Sequence, residues 1–598
     1  MSQPIKDYAL IGNLRCAALA GRNGSIDWFC PPRFDAPACF SKLLGNEQHG
    51  FWQIAPEQEP TEIRRHYEPD TLVLRTEFAC DGGRVRLTDY MPVGDSAIII
   101  RSVEGLEGSV PMRMQLVPRF GYGARTPQCE PDTDGCRMLD EHGQLLLRTS
   151  AALELAGDRA QALFEVSAGQ SVHFVLQYLQ ADEQAAALED PQRQLQECCR
   201  WWRSWVSQTT YHGRWRDAVV RSLITLKAMT YLPTGSMVAA PTTSLPEAPG
   251  RGANWDYRFC WIRDAVWALD ILIDSNFLDE AHAWRDWLLR LMDRDSNLRV
   301  LYDIDGEDSP DEYELDWLPG HLDSRPVRVG NAAYGQHQLD VYGQLIDFLH
   351  IGRRSGMCRS QHSWHRQRRL VDKVIACWHE PDEGVWELRG QRRHYTHSKV
   401  YAWVALDRSI RDAEAFDLPA PLEQWRRVRD EIHAQVCERA VDPVRGAFKQ
   451  SYDGTEPDAS VLMIPLLGFL PIDDPRVQAT IDWIQQDLQR EGLVYRFRPH
   501  QSEDGWEGSF IACSFWMVDN LIMSQRQHDA ENLFARLLAL RNDVGLLAEQ
   551  YHPQHGQLGN FPQALSHLAL VKTAYLIQAC EQVHHGGGPE RHSYRPVE

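Results

Sequence analysis

The chain has 598 residues, of which 43% are hydrophobic and 24% charged; these are ordinary globular values, so it can bury full cores without disulfide or metal and is not disordered. Its formal charge of −21, from 62 basic and 83 acidic side chains, disfavours nucleic acids and anionic membranes as partners and points to a neutral or cationic small molecule. Fourteen scattered cysteines with no Cys-x-x-Cys spacing, no run of ~18 apolar residues and no apolar segment behind Met1 predict a cytoplasmic chain with free thiols, no metal site and no cofactor, and leave a homo-oligomer open.

Residues 1–190 read as β-structure. Thr71–Phe78 and Arg84–Tyr90 alternate apolar and polar residues on either side of an Asp81-Gly-Gly turn. Ala97–Val103 is a continuous apolar run, and strand patterns recur at Met112–Pro118, Gln144–Thr149, Ala162–Val166 and Ser171–Tyr178. Strands separated by turn signals predict a β-sandwich. The texture then changes. Residues 191–213 hold a linker helix with Leu195, Trp201, Trp202 and Trp205 at helical spacing. From 214 to 583 the periodicity predicts helices near 214–231, 260–275, 279–293, 333–353, 362–378, 396–411, 420–438, 459–470, 474–487, 508–524, 527–541 and 562–582. Twelve sequential helices without a repeat in residue identity predict an (α/α)6 toroid rather than a solenoid. The Gly-rich tail, 584–598, reads as frayed.

Three segments can carry chemistry. Asn254-Trp-Asp-Tyr-Arg-Phe-Cys-Trp-Ile-Arg-Asp-Ala265 opens the second helix; it is either a capped helix start with a structural Arg–Asp pair, or a site where Arg263 and Asp264 hydrogen-bond the vicinal hydroxyls of a sugar. Glu387, in Gly384-Val-Trp-Glu-Leu-Arg-Gly390, precedes the sixth helix. Desolvation against Trp386 would raise its pKa and make it a general acid, provided Arg389, Arg392 and Arg393 point elsewhere. Glu549, in Gly545-Leu-Leu-Ala-Glu-Gln-Tyr-His552, precedes the last helix, with Gln550 and Tyr551 placed to orient it; taken alone, it is an ordinary loop glutamate. In a toroid all three loops reach one rim, and two carboxyls flanking a glycosidic bond suffice for its hydrolysis. Glu387 and Glu549 lie 549 − 387 = 162 positions apart, on different helical hairpins, which allows the ~6.5–9.5 Å separation of an inverting site.

With Asn254–Ala265, Ser324-Arg-Pro-Val-Arg-Val-Gly-Asn-Ala-Ala333, Trp386–Val400 and Leu558–His567 in view, the chain resembles glycoside hydrolase family 15, the glucoamylase and bacterial–archaeal trehalase family, over residues 5–580. It is similar to the branch whose N-terminal β-domain opens on Asp7–Asn13 and Gly24–Cys30. The resemblance implies that Glu387 is the general acid and Glu549 the general base. It also implies that Arg263 and Asp264 bind the terminal glucose, that Tyr257 and Trp261 line its pocket, and that Arg496, in Val494-Tyr-Arg-Phe-Arg498, contacts the same sugar. The expected reaction releases β-glucose from trehalose or from the non-reducing end of a malto- or isomalto-oligosaccharide. The alternatives are an inverting disaccharide phosphorylase and an inactive glucan-binding protein. One stretch departs from the family pattern: Leu318-Pro-Gly-His321 stands where relatives carry a Leu-Glu-Gly-Tyr-like segment, and it leaves the leaving-group side open.

Overall fold

The computed structural model describes residues 2–181, 183–185, 189–294, 298–498 and 507–584. The N-terminal part is a large antiparallel β-sheet domain. Its strands are β1 (Tyr8–Gly12), β2 (Ala17–Gly21), β3 (Ser25–Phe29), β4 (Phe51–Pro56), β5 (Glu62–Tyr67), β6 (Leu74–Cys80), β7 (Gly83–Tyr90), β8 (Ile98–Val117), β9 (Gln128–Asp132), β10 (Gly135–Asp140), β11 (Gly143–Thr149), β12 (Glu154–Ala156), β13 (Arg159–Ser167) and β14 (Ser171–Leu179). The main path runs β1-β2-β3-β4-β8-β14-β11-β10-β9, and β5-β6-β7 and β12-β13 branch from β8.

The runs at Ala97–Val103 and Met112–Pro118, expected as two strands, are one 20-residue strand. The first half of β8 pairs with β7 and β14, the second half with β4 and β13. Between the halves Gly108 takes φ +62°, where a side chain would meet the Gly82 carbonyl, so the strand turns from one set of partners to the other without a loop. Strands β1 to β3 carried no readable alternation because both faces are buried at every position.

The helical part follows the predicted order closely. The helices are α1 (Pro191–Val206), α2 (Arg216–Ala228), α3 (Ile262–Asp274), α4 (Leu278–Arg294), α5 (Asp340–Arg354), α6 (Gln361–Cys377), α7 (Thr396–Ala415), α8 (Leu422–Arg439), α9 (Met463–Leu466), α10 (Pro475–Asp487), α11 (Ile511–Met523), α12 (Gln527–Leu538) and α13 (Ala564–His584). Asp190 caps α1 and Asp474 caps α10, each with Pro at the first turn where no N–H is needed.

Two elements differ from expectation. Residues 333–339 do not start α5: Asn331 accepts from Ala333 N and closes a 3-10 turn, Ala332–Gly335, after which the chain stays extended and carries Gln336 and Gln338 toward the site. The helix expected at 459–470 is a 3-10 turn, Ala459–Leu462, and a single α turn, because Pro465 and Gly468 (φ +73°) do not extend it.

Helices α5, α7 and α11 are buried nearly all round, whereas α8 buries only the stripe Trp425, Val428, Ile432 and Val436. The buried helices touch in succession: α3 on α5, α5 on α7, α7 on the 459–466 segment, that segment on α11, α11 on α13, and α13 on α3 again.

Candidate active site

Residues 240–260 form a long irregular hairpin, held by Ala240 N to Tyr257 O (2.9 Å), Ser244 N to Trp255 O (2.8 Å) and Glu247 N to Ala253 O (3.1 Å). Its side chains divide by direction. Asp256 and Arg258 form a fully buried bidentate pair (2.9 and 2.6 Å), and the guanidinium reaches the β-domain, donating to Ala36 O (3.0 Å) and lying over Trp28 and Tyr122. This is the structural Arg–Asp pair. Tyr257 and Trp261 turn the other way, rings 5.2 Å apart edge to face, and each holds one glutamate.

Trp261 Nε1 donates to Glu387 Oε1 at 2.9 Å, and Arg263 approaches the same oxygen at 3.6 Å. Glu387 sits at φ +57°, a region glutamate rarely occupies, in a loop closed by Asp382 pairing with Arg393; Gln336 Nε2 donates to its carbonyl (3.1 Å). Its side chain is 19% exposed. Burial pushes the Glu387 carboxyl above the ordinary glutamate range and Asp340 adds to this, against Arg263 and the hydrogen bonds from Trp261 and Gln338. The loop arginines point elsewhere: Arg389 to Glu312 (2.9 Å), Arg392 to Glu383 (2.9 Å) and Arg393 to Asp453 (3.3 Å). Trp386 Nε1 bonds Asp458 (2.9 Å), and the indole hydrogen-bonded to Glu387 is that of Trp261.

Arg263 donates to Gln338 Oε1 (2.9 Å) and faces the buried Asp340 at 3.9 Å. Beside it, burial raises Asp264 to about 6, with Arg263 opposing and Glu387 reinforcing the shift. Arg263 Nε, Asp264 Oδ1 and Asp340 Oδ1 are buried without a hydrogen-bond partner among the described residues. Donor and acceptors so disposed suit a ligand rich in hydroxyls.

Glu549 is 1% exposed and accepts from the Tyr257 hydroxyl at 2.7 Å; its other oxygen has no protein partner among the described residues. It ends a loop that runs into the strand Gln550–His552, paired with Ser509–Phe510 and Gly556–Leu558. Gly559, at φ +77°, lets this carboxylate approach: a Cβ there would lie 2.6 Å from Glu549 Oε2. Burial, the neighbouring Glu247 and Glu507 raise the Glu549 carboxyl, and Arg496 and the Tyr257 hydroxyl pull it down.

Gln550 and Tyr551 do not orient Glu549 as expected. Gln550 Nε2 donates to Glu247 (2.7 Å), and Tyr551 has no side-chain hydrogen bond to Glu549 among the described residues; the orienting phenol is Tyr257. Arg496 lies between Glu247 (2.5 Å) and Glu507, with its guanidinium over Phe510 and Trp386. Arg498 pairs with Glu456 and Asp487, away from the glutamates, which settles which of the two arginines is near.

Sequence reasoning missed Glu247, Gln338, Asp340, Asp458 and Glu507. Glu247 left one signal, a lone charge in the otherwise uncharged stretch Met237-Val-Ala-Ala-Pro-Thr-Thr-Ser-Leu-Pro-Glu-Ala-Pro249. The departing segment Leu318–His321 faces the β-domain: His321 Nδ1 meets Leu43 O and Ser2 Oγ at 3.1 Å, and Gly320 N donates to Leu44 O. Among the described residues no group of three or more His, Cys, Asp or Glu is placed to hold a metal ion, and no helix is long and apolar enough to cross a membrane.

Residues 213–575 match the family model for Glycosyl hydrolases family 15. The chain belongs to this family. Residues 1–202 match the trehalase-like N-terminal domain, so this glycosyl hydrolase of family 15 pairs both parts over nearly its whole length. It is 35% identical to a trehalase of Mycobacterium tuberculosis over 98% of this chain and 91% of that protein. It is 34% identical to a trehalase of Thermoplasma volcanium, covering 95% and 93% respectively. Its fold superposes on a bacterial glucoamylase solved with acarbose, with a TM-score of 0.73, 13% identity, and 96% and 94% of the two chains covered. The protein is a glycoside hydrolase.

Proposed function

We propose that this family 15 hydrolase is an inverting exo-acting α-glucosidase whose substrate is trehalose, with Glu387 as general acid and Glu549 as general base. The observation that carries the substrate is the end-to-end likeness to proteins named trehalase, over 98% and 95% of this chain for the two relatives above. The roles rest on the half-buried Glu387 carboxyl and the buried Glu549 carboxyl meeting through one aromatic pair, Trp261 on Glu387 and Tyr257 on Glu549.

In this reading Glu387 gives its proton to the glycosidic oxygen as the bond from C1 to that oxygen breaks. Glu549 takes a proton from a water whose oxygen bonds C1 from the opposite face. Arg263 and Asp264 hold hydroxyls of the glucose being cleaved, and Arg496, held by Glu247 and Glu507, borders the same sugar. The proposed fold is a β-sandwich over residues 1–190, a linker over 191–213 and an (α/α)6 toroid over 214–583. The order of packing among the buried helices, which returns from α13 to α3, supports the toroid. The fourteen free cysteines support a cytoplasmic location.

The test is glucose release from trehalose, maltose, maltotriose and isomaltose, with anomers resolved by NMR in the first minutes. Inversion at one C1 of trehalose yields equal amounts of α- and β-glucose. Two α-glucose molecules would overturn inversion, and hydrolysis of maltose or isomaltose in preference to trehalose would overturn the substrate.

A further inference from the structure

Glu247 stands in none of the three motifs, yet it joins two side chains beside Glu549. It is 2% exposed, and one of its oxygens, Oε2, accepts from both Arg496 Nη2 (2.5 Å) and Gln550 Nε2 (2.7 Å). Its loop is fastened to the loop that carries Glu549. Pro246 O accepts from Gly559 N (2.8 Å), and Thr242 Oγ1 donates to Asn560 (2.9 Å) and accepts from Phe561 N (3.1 Å). Gly559 is the residue against which Glu549 Oε2 packs. Any shift of the 242–253 segment is therefore passed to Glu549 through backbone as well as side chains.

We infer that Glu247 is the positioning residue of the hydrolytic base: it holds Arg496 and Gln550 in place around Glu549, and its charge sets the proton affinity of the Glu549 carboxylate. The inference rests on the proposed role of Glu549 as base. The ionisable groups facing Glu549 are Glu247 from the 240–260 hairpin, Tyr257 from the same hairpin, Arg496 from the segment after Leu493–Val494, and Glu507 ahead of Ser509–Phe510. Three carboxylates share one guanidinium, so at most one of their charges is offset, and a buried excess of like charge keeps a proton in the cluster to higher pH. Glu247 is raised in the same way, by burial first and by Glu507, with Arg496 opposing.

Because both hydrogen bonds end on one oxygen, glutamine can preserve them while removing the charge. In Glu247→Gln the acidic limb of the kcat/KM profile for trehalose is expected to move to lower pH, with kcat at the optimum largely retained. Glu247→Ala removes charge and bonds together, and kcat is expected to fall on the order of 10- to 100-fold, the usual scale for a misplaced catalytic group. An acidic limb that stays in place in Glu247→Gln overturns the inference, whether or not the alanine variant folds. Glu549→Gln, measured beside them, separates the two levels. If it is inactive while the Glu247 variants behave as wild type, only the role of Glu247 falls; if it is active, the base assignment falls and this inference with it.

Discussion

At the scale of single residues, the two glutamates differ in how they are held. Glu387 hangs in a left-handed loop with an indole N–H and a guanidinium beside it, while Glu549 is sealed between a phenol, a glycine and a cluster of like charge. Glu387→Gln and Glu549→Gln are each expected to lower turnover by at least ~10²-fold, the scale of acid–base catalysis, with near-normal far-UV circular dichroism. The pH profile carries the sign of both shifts. With Glu549 as the proposed base and Glu387 as the proposed acid, activity is expected to rise as Glu549 loses its proton and to fall as Glu387 loses its own; both carboxyls are raised, so both limbs are expected above the range of a free glutamate. Limbs at the ordinary carboxylate range would contradict this. Gly559→Ala places a methyl against Glu549 Oε2 at a backbone angle alanine disfavours. We expect at least ~10-fold loss of kcat with a smaller change in KM, checked by steady-state kinetics on trehalose.

At the scale of elements, the 240–260 hairpin is the part that the site and the β-domain share. Its Tyr257 and Trp261 face the glutamates, and its Arg258 lies over Trp28 and Tyr122. Arg258→Ala leaves Asp256 buried and unpaired, which costs about 3–5 kcal/mol; a drop in the urea midpoint accompanied by loss of activity is the expected reading. The loop at 318–324 makes the second joint, through His321. Burial lowers its imidazole to about 4, below the ~6.5 of an unfolded histidine, so the folded state binds its proton less readily. Its contribution to stability is intact above the unfolded value and declines as pH falls from there toward the folded one. His321→Gln keeps a donor for the Leu43 carbonyl and removes the titration. Its melting temperature is expected to fall less between pH 6.5 and 4.5 than that of the wild type, and equal declines would refute the assignment.

At the scale of the whole molecule, the helical part leans on the β-domain at Arg258, at His321, and where Arg65 holds Asp543 at 2.5 Å and Trp28 donates to Pro241 O. Residues 207–584 expressed alone are therefore expected to aggregate or to melt well below the full chain, as light scattering and calorimetry can show. The helical periodicity, the loops bearing Glu387 and Glu549, and the arginine and aspartate at the head of α3 were all legible in the sequence, because a stripe of apolar residues every three to four positions and a charge among aromatics are local patterns. The continuity of β8 was not, because Gly105 and Gly108 within it read as a turn, and β1 to β3 were not, because a strand buried on both faces has no polar face to mark it. The pairing within the site was not legible either: Trp261 rather than Trp386 holds Glu387, Tyr257 rather than Gln550 or Tyr551 holds Glu549, and Glu247 lies 549 − 247 = 302 positions from the carboxylate it serves. The sequence by itself determined which residues could do acid–base chemistry, because that depends on side-chain type and short spacing. Only the tertiary structure decided which neighbours hold and tune them, because burial, hydrogen bonding and charge act across space between segments the chain keeps far apart.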